Sequence, residues 1–204
     1  MGLPEPMLAK PVRSPRVAAG LLATMILAGL RVSELTSLRW RDVDLPGGRL
    51  RVTEAKTEAG VRTVDISPML REELAVHRAD SGHTGPDDLV FATSAGTERN
   101  RSNITRQILQ PTIERANFEL AKAGRARIEG LTNHSLRRTF ASLLYHEGKS
   151  PRYVMKQLGH TEPALALAIY ADVIGDDPDF GHRDRDSLIR EADFRSLEEP
   201  ALKS

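Results

Sequence analysis

Two arginines in this sequence stand where a guanidinium group could reach an anion. Arg31 lies at the junction of two apolar segments, three residues before Glu34, a carboxylate that could orient it. Arg137 follows His134 by three residues at the start of a predicted helix, so these two side chains share a helix face. The free amides of a helix start favour an anion, and a guanidinium binds phosphate through two parallel hydrogen bonds. Taken singly, each arginine fits an ordinary surface position better.

Three further side chains could take part in acid, base or nucleophilic chemistry. His160 follows a glycine that is predicted to end a helix, and Lys56 lies at the predicted tip of a hairpin. Tyr170 ends an apolar run, where it also fits a core aromatic residue whose hydroxyl reaches the surface. The other two tyrosines, Tyr145 and Tyr153, fit that structural description as well. None of these segments by itself identifies a reaction.

Helices are predicted to position most of these residues. Ser14, Ser67 and Ser150 each precede a proline. Serine caps a helix start and proline fits the first helical position, so each pair predicts where a helix begins. The predicted helices span residues 15–29, 33–39, 68–79, 102–123 with a break or kink at Pro111, 135–147, 151–158 and 163–173.

One small sheet completes the predicted fold. Apolar residues alternate with charged ones in three short segments, which is the pattern of half-buried strands. In the third segment Val64 and Ile66 form the apolar set, and Arg62 and Asp65 form the polar set. The predicted fold class is therefore mainly α with a small three-stranded antiparallel β-sheet, an α+β arrangement. The predicted strands are Val43–Leu45, Arg49–Thr53 and Val61–Ile66.

The composition excludes several classes of protein. The chain has 204 residues and no cysteine, so a disulfide scaffold, a thiol nucleophile and a thiolate zinc site are excluded. Residues 17–30 are almost continuously apolar, but this run is shorter than the about 20 residues that a bilayer span needs. No small-residue cleavage site follows it, so we expect a buried core helix there rather than a secretory signal.

Charge is strongly segregated along the chain. Residues 99–160 carry 12 basic and 4 acidic side chains, whereas residues 161–204 carry 5 basic and 11 acidic ones. Localised positive charge attracts phosphates even when the net charge of the chain is only +1. The basic block predicts a surface for a polyanion such as DNA or RNA. Its alternative is a solvated helical surface whose charges mix in three dimensions.

Six of these residues, taken in order, resemble the tyrosine recombinase (phage integrase) family over roughly residues 15–175. The resemblance rests on the ordered set together with its Gly-Leu-Arg, His-x-Leu-Arg and Leu-Gly-His motifs. It implies the catalytic-domain fold of that family, a DNA breaking and rejoining enzyme. The six implied catalytic residues are Arg31, Lys56, His134, Arg137, His160 and Tyr170.

The resemblance also implies how a tyrosine would act on DNA. Tyr170 would attack a phosphodiester, form a 3′-phosphotyrosyl link and release a 5′-hydroxyl. The 5′-hydroxyl of another strand would then attack this link and complete the exchange. The ordinary pKa of tyrosine is about 10, so the hydroxyl needs a base, and His134 is the expected proton acceptor. Lys56 is the expected general acid for the departing oxygen.

The phosphate itself would be bound by fixed positive charge. Arg31 and Arg137 are the expected guanidinium forks, Glu34 is the expected orienting neighbour of Arg31, and His160 donates one further hydrogen bond. Because the arginines neutralise the phosphate, no metal and no other cofactor is expected. A metal site built on His134 and His160 is a weaker alternative, since no further ligand recurs at a suitable spacing.

Double-stranded DNA is the expected partner. We expect a homo-tetramer on DNA, a monomer or weak oligomer without it, and no association with a membrane. The resemblance also implies a bacterial or phage-encoded protein in the cytoplasm, associated with the nucleoid.

Two alternative functions remain: relaxation of supercoils in the manner of a type IB topoisomerase, and a non-catalytic DNA-binding remnant that regulates recombination. The expected DNA-binding residues are Arg99, Arg101, Arg106, Arg138 and Lys156.

The expected domain organisation is one catalytic domain, residues 1–175, followed by an acidic tail, residues 176–204. Members of the family usually carry a helical DNA-clamp domain first, and the thirty residues before Arg31 are too few for one. The tail is expected to hold at most one helix near 185–196, which is flexible or exchanged between protomers. We expect the acidic tail to pack over the basic surface, in cis or in trans, when DNA is absent.

Overall fold

The computed structural model describes residues 15–53, 60–159, 167–171 and 184–190. Helices dominate the described part of the chain, and residues 167–171 and 185–190 are helical as well. In chain order the helices are α1 (Pro15–Leu27), α2 (Val32–Ser37), α3 (Pro68–Ala79), α4 (Arg101–Ile104), α5 (Gln110–Lys122), α6 (Asn133–His146) and α7 (Pro151–Leu158).

A three-stranded antiparallel sheet lies beside the helices. Its strands are β1 (Val43–Asp44), β2 (Arg49–Val52) and β3 (Arg62–Asp65), in the order β1-β2-β3. The register pairs Val43 with Leu50 and Leu50 with Val64, which brings the apolar residues of the three strands onto one face. The prediction of a mainly helical fold with one small antiparallel sheet is confirmed.

Helix α1 lies at the centre of the core, where it packs against α3 and α6. Leu21 and Met25 of α1 are fully buried, as are Phe140 and Leu144 of α6. The apolar run at residues 17–30 is therefore a core helix and its continuation, as predicted. No helix in the described parts of the chain is long and apolar enough to span a bilayer.

Side-chain caps begin two of the helices at the predicted residues. The Ser67 hydroxyl accepts a hydrogen bond from the Leu70 amide, and the Ser150 hydroxyl accepts one from the Tyr153 amide. A proline follows each serine at the start of the helix. The predicted bounds of α3 and α7 are confirmed, whereas Ser14 lies outside the described residues. Local capping chemistry thus determines these two boundaries.

The α-helix is interrupted by a wider turn just before Pro111, the residue at which the sequence predicts a break or kink. Residues Thr105–Leu109 form a π-helical turn between α4 and α5, so the chain is helical from Arg101 to Lys122. Proline lacks an amide hydrogen and crowds the carbonyl one turn earlier, and a wider turn relieves that contact. The Thr112 hydroxyl donates to the Ile108 carbonyl at 2.7 Å, which gives one carbonyl of the widened turn a hydrogen-bond donor.

The third strand corrects one expectation. Arg62 was assigned to the polar set, but it is 7% exposed and lies on the same face as Val64. Residues two apart on a strand point to the same side, so Arg62 faces inward with the apolar residues. Thr63 occupies the exposed position between them. A charged side chain therefore enters the protein from the first residue of β3, an outer strand of the sheet.

Candidate active site

A buried carboxylate lies at the centre of the candidate site. Glu34, in the first turn of α2, is 4% exposed. Its Oε2 atom accepts the Arg31 amide at 2.8 Å, and its Oε1 atom accepts Arg31 Nη1 at 2.7 Å. Arg62 donates Nη1 to Oε1 at 3.0 Å and Nη2 to Oε2 at 2.9 Å. Both carboxylate oxygens are thus shared between two arginines.

The pKa of Glu34 follows from this balance. Burial raises the pKa of the carboxyl, but hydrogen bonds and charge from Arg62, with hydrogen bonds from Arg31, outweigh burial and hold the pKa below its ordinary value. Glu34 is therefore ionised at neutral pH.

Arg137 lies on the other side of the same carboxylate. It projects from α6 and is 5% exposed, and its Nη1 atom is 4.0 Å from Glu34 Oε2. Nη1 also donates to the Gly29 carbonyl and Nη2 to the Leu158 carbonyl. Since a guanidinium has five N–H bonds, these contacts fix the group and leave further N–H bonds for an anion.

The cluster of three arginines is electropositive. Burial, followed by the charges of Arg31 and Arg62, lowers the pKa of Arg137 to about 9, while Glu34 acts in the opposite direction. Arg137 is still protonated at neutral pH. Three guanidinium groups around one carboxylate carry a net positive charge, which suits a phosphate.

The glycine two residues before Arg31 explains the Gly-Leu-Arg motif. Gly29 has φ +59°, and a Cβ atom there would lie 2.3 Å from Phe140 Cδ1. Only glycine fits both the left-handed conformation and this close approach to α6. The turn ends α1 two residues earlier than predicted and presents the Gly29 carbonyl to Arg137.

Arg31 is the most exposed arginine of the cluster. Its side chain is 42% exposed, and its Nη2 atom is 3.5 Å from the Gly159 carbonyl. Gly159 ends α7 with φ +63°, as the sequence predicts. The structure therefore brings Arg31, Arg137 and the end of α7 together from positions far apart in the sequence. His160 and Lys56 lie outside the described residues.

His134 lies one turn before Arg137 at the start of α6. It is exposed, and the helix start is capped by Thr132, whose hydroxyl accepts the Ser135 amide at 3.1 Å. The helix begins at Asn133, two residues earlier than predicted, because of this cap. The imidazole thus stands at a helix start on the same helix as a buried arginine, where a proton acceptor could meet a bound anion.

The three tyrosines have different environments. Tyr145 is fully buried, and burial and then the neighbouring Tyr170 raise the pKa of its hydroxyl. The Tyr153 hydroxyl donates to Asp65 Oδ2 at 2.8 Å, and burial and then that hydrogen bond raise its pKa. Tyr170 is partly buried, and its ring centroid is 5.0 Å from that of Tyr145. Tyr145 and Tyr153 are held in structural positions, which leaves Tyr170 as the best candidate nucleophile.

Tyr153 gives a prediction that separates a structural tyrosine from a nucleophile. We expect Tyr153→Phe to lower the free energy of unfolding by about 1 kcal/mol, because one hydrogen bond to Asp65 is lost. Covalent DNA attachment should stay within about twofold of wild type, since Gln157 Nε2 still binds Asp65 Oδ2 at 3.0 Å. Chemical denaturation and a denaturing gel measure the two effects. Loss of attachment by a folded Tyr153→Phe protein would contradict the structural assignment.

The expected DNA-binding residues fall into two groups. Arg99 is half-buried and donates to the carbonyls of Phe91 at 3.0 Å and Ala92 at 2.8 Å. Burial lowers the pKa of Arg99, and its geometry favours a structural role. The other four are exposed on α4, the π-helical turn, α6 and α7: Arg101, Arg106, Arg138 and Lys156.

The described part of the tail docks on the core of the same chain. Arg185 is 7% exposed and donates Nε to Glu147 Oε1 at 2.6 Å and Nη1 to the Leu27 carbonyl at 3.1 Å. Asp186 accepts the Met69 amide in the first turn of α3 at 2.9 Å. These contacts join residues 184–190 to the core in cis. The acidic residues at 176, 177 and 179 lie outside the described residues, so packing over the basic surface stays a prediction.

The described residues hold no group of three His, Cys, Asp or Glu side chains that could bind a metal ion. The described site contains two buried arginines, Arg62 and Arg137, and the half-exposed Arg31. Such an arrangement can bind a phosphodiester and stabilise the charge that develops during its cleavage.

Curated proteins with related sequences are recombinases and integrases. Tyrosine recombinase XerC of Pelobacter propionicus is 32% identical over 145 residues, covering 69% of this chain and 42% of the relative. Prophage integrase IntR of Escherichia coli K12 is 26% identical over 175 residues, covering 74% of this chain and 42% of the relative. The chain thus spans about half the length of the curated relatives it matches, or less.

Solved structures show the same fold. The XerA recombinase has a TM-score of 0.59 at 23% identity, covering 92% of this chain and 59% of that protein. The Tn1549 transposon integrase, solved in complex with transposon right end DNA, has a TM-score of 0.66 at 19% identity, covering 89% and 60%. Both are similar to this chain at the level of fold.

A family model locates the match within the sequence. The model of the phage integrase family matches residues 9–175, which include all six residues of the ordered motif set. This match confirms the family that the motifs indicate. The chain belongs to the phage integrase family.

Proposed function

We propose that this chain cleaves and rejoins DNA strands by metal-independent transesterification, as the catalytic part of a site-specific recombinase. One observation carries the proposal: three arginines surround the buried carboxylate of Glu34, and one of them, Arg31, is half-exposed. Membership of the phage integrase family, with recombinases among the matching relatives, supports this function.

The proposed reaction conserves the number of phosphodiester bonds. The Tyr170 Oη atom attacks the scissile phosphorus, and the bond from phosphorus to the 5′-oxygen breaks. His134 accepts the tyrosine proton, and Lys56 donates a proton to the departing 5′-oxygen. The 5′-hydroxyl of another strand then attacks the phosphotyrosyl link and restores the tyrosine. No ATP is consumed, because the energy of the broken bond is kept in the covalent intermediate.

The arginines have a different task from the proton-transfer groups. Arg31 and Arg137 bind the non-bridging oxygens of the phosphate, and their charge favours both the tyrosinate and the transition state. His160 is proposed as an additional donor to the phosphate, because it directly follows Gly159, whose carbonyl lies 3.5 Å from Arg31 Nη2.

Double-stranded DNA is the proposed partner. The exposed basic side chains on α4, α6 and α7 can bind backbone phosphates, which position DNA without specifying its sequence. The Tn1549 transposon integrase and a lambda integrase dimer, both similar in fold, were solved with DNA. A homo-tetramer on DNA would place four such sites for two strand exchanges. We place this activity in the cytoplasm of a bacterium, where chromosomal and phage DNA is found.

The test is formation of a covalent protein–DNA adduct. Wild-type protein is mixed with a pool of nicked duplexes that trap the cleaved strand, and products are separated on a denaturing gel. We expect an adduct that forms equally well in EDTA, since arginines rather than a metal neutralise the phosphate.

Inhibition of adduct formation by EDTA that Mg²⁺ reverses would contradict the proposed chemistry. Adduct formation with relaxation of supercoils, but no strand exchange, would favour the topoisomerase-like alternative. DNA binding with no adduct would favour a non-catalytic role.

A further inference from the structure

Arg62 is the buried arginine of the cluster for which the catalytic scheme has no task. Its side chain is 3% exposed, compared with 42% for Arg31. All four of its described hydrogen bonds stay inside the protein. Two go to the oxygens of Glu34, one joins Nε to the Gln157 carbonyl at 2.7 Å, and one joins Nη1 to the Gly60 carbonyl at 3.0 Å. A group used in this way does not bind substrate, so its effect must pass through its partners.

The contact with Glu34 controls how the other arginines are held. Arg62 binds both oxygens of the carboxylate side by side, which is the strongest arrangement for this pair. Arg137 consequently stays 4.0 Å from the carboxylate, and Arg31 uses only Nη1 of its guanidinium there. Without Arg62, an under-neutralised buried carboxylate would draw these two groups toward itself. Arg62 thus keeps Glu34 from occupying the groups that must face the phosphate.

The contact with Gln157 acts at the end of α7. The next residue, Leu158, supplies the carbonyl that holds Arg137, and Gly159 supplies the carbonyl near Arg31. The contact with Gly60 ties the same guanidinium to the residue just before β3. One side chain therefore connects the sheet, α2 and α7 at the point where the two phosphate-binding arginines meet.

We propose that Arg62 is a positioning residue for DNA strand cleavage, which holds Glu34 and the end of α7 so that Arg31 and Arg137 face the scissile phosphate. This inference rests on the proposed function. We expect substitution of Arg62 to weaken the stabilisation of the negative charge on the scissile phosphate. Substitution of a purely structural arginine would lower only the amount of folded protein.

The experiment compares Arg62→Lys with wild type on two duplexes. Lysine keeps the charge but cannot bind both carboxylate oxygens and the Gln157 carbonyl together. The first duplex, chosen from the trapping pool by its wild-type adduct, carries the natural scissile phosphate. The second carries a neutral methylphosphonate at that position, which needs less positive charge. Arg49→Lys is the matched control, because Arg49 is an exposed arginine on the neighbouring strand β2.

We expect Arg62→Lys to slow single-turnover cleavage of the phosphate duplex by about 100-fold, the scale of an effect from a 1 Å misplacement. The DNA dissociation constant should change by less than about threefold, because the exposed phosphate contacts are intact. Relative to wild type on the methylphosphonate duplex, the defect should shrink to less than about fivefold, because less charge must be stabilised. The Kd of each duplex, measured in a Tyr170→Phe background, provides the same comparison without chemistry: Arg62→Lys should reduce any preference for the phosphate duplex.

Several results would overturn the inference. Cleavage by Arg62→Lys at the wild-type rate would do so, as would an equal loss on both duplexes or a loss no larger than that of Arg49→Lys. Circular dichroism shows whether the variant is folded at the assay temperature. If it is not, the assay is run at a lower temperature. If wild type forms no adduct on any duplex, the proposed function itself fails, and the inference fails with it. If wild type forms the adduct and Arg62→Lys cleaves DNA at the wild-type rate, the proposed function stands and the inference alone fails.

Discussion

Tyr170→Phe is expected to abolish covalent attachment to DNA while leaving DNA binding within about twofold of wild type. The substitution removes only the Oη atom, which is the proposed nucleophile. Its ring can keep the contact with Tyr145, whose centroid lies 5.0 Å away. A denaturing gel with the trapping duplexes measures the adduct, and a native gel or fluorescence anisotropy measures binding. The expected outcome is no adduct above background with a nearly unchanged Kd.

Tyr153→Phe is the matched control for this experiment. It removes the same atom from a tyrosine whose hydroxyl is bound to Asp65 at 2.8 Å. An adduct formed by Tyr153→Phe but absent with Tyr170→Phe identifies Tyr170 as the nucleophile. An adduct formed equally by Tyr170→Phe would exclude that residue and direct the search to Tyr145, which would first have to leave its buried position.

Arg137→Lys should cause the second large loss, a decrease in the cleavage rate of at least about 10²- to 10³-fold. Lysine supplies a point charge and cannot hold the Gly29 carbonyl, the Leu158 carbonyl and a phosphate oxygen in one plane. Leaving a buried carbonyl without a donor costs about 1–3 kcal/mol, so stability should fall as well. Single-turnover cleavage and chemical denaturation measure the two effects separately.

Arg31→Lys provides the comparison, because the Arg31 side chain is 42% exposed and that of Arg137 only 6%. We expect Arg31→Lys to lose cleavage by a similar factor with a smaller decrease in stability, because lysine keeps the positive charge beside Glu34 and the Arg31 contact with the Gly159 carbonyl is exposed. A near-normal rate with either lysine variant would argue against a phosphate fork at that position. A rate loss that disappears when the folded fraction is restored would argue for a structural role alone.

Several features of the fold could be predicted because their causes are local. Serine-proline pairs set the starts of α3 and α7, and Gly159 ends α7, so these boundaries agree with the sequence. The extent of the helix around Pro111 was also predicted closely, but its π-helical turn could not be predicted in the same way. Whether a helix breaks there or widens into a π turn depends on the packing of residues such as Ile108 and Leu109, which are buried in the core.

The candidate site shows the same division. Arg31, Glu34 and Arg137 could be selected from short motifs, because each motif combines a charged residue with a helix start or end. Arg62 could not be selected in that way, since an arginine on a strand ordinarily faces solvent. Its position two residues before Val64 was the available signal, because both side chains must lie on one face of β3.

The sequence by itself determined the family, the helical class with its small antiparallel sheet, and the ordered set of candidate catalytic residues. These properties depend on residue type and on spacing along the chain. Only the tertiary structure decided that Arg62 joins Arg31 and Arg137 around Glu34, and that Arg99 holds backbone carbonyls. The physical reason is that the balance between burial and pairing of a charge is set by residues far away in the sequence. Arg62 binds both Glu34 and the Gln157 carbonyl. These two residues come within hydrogen-bonding distance of Arg62 only when the chain folds around α1.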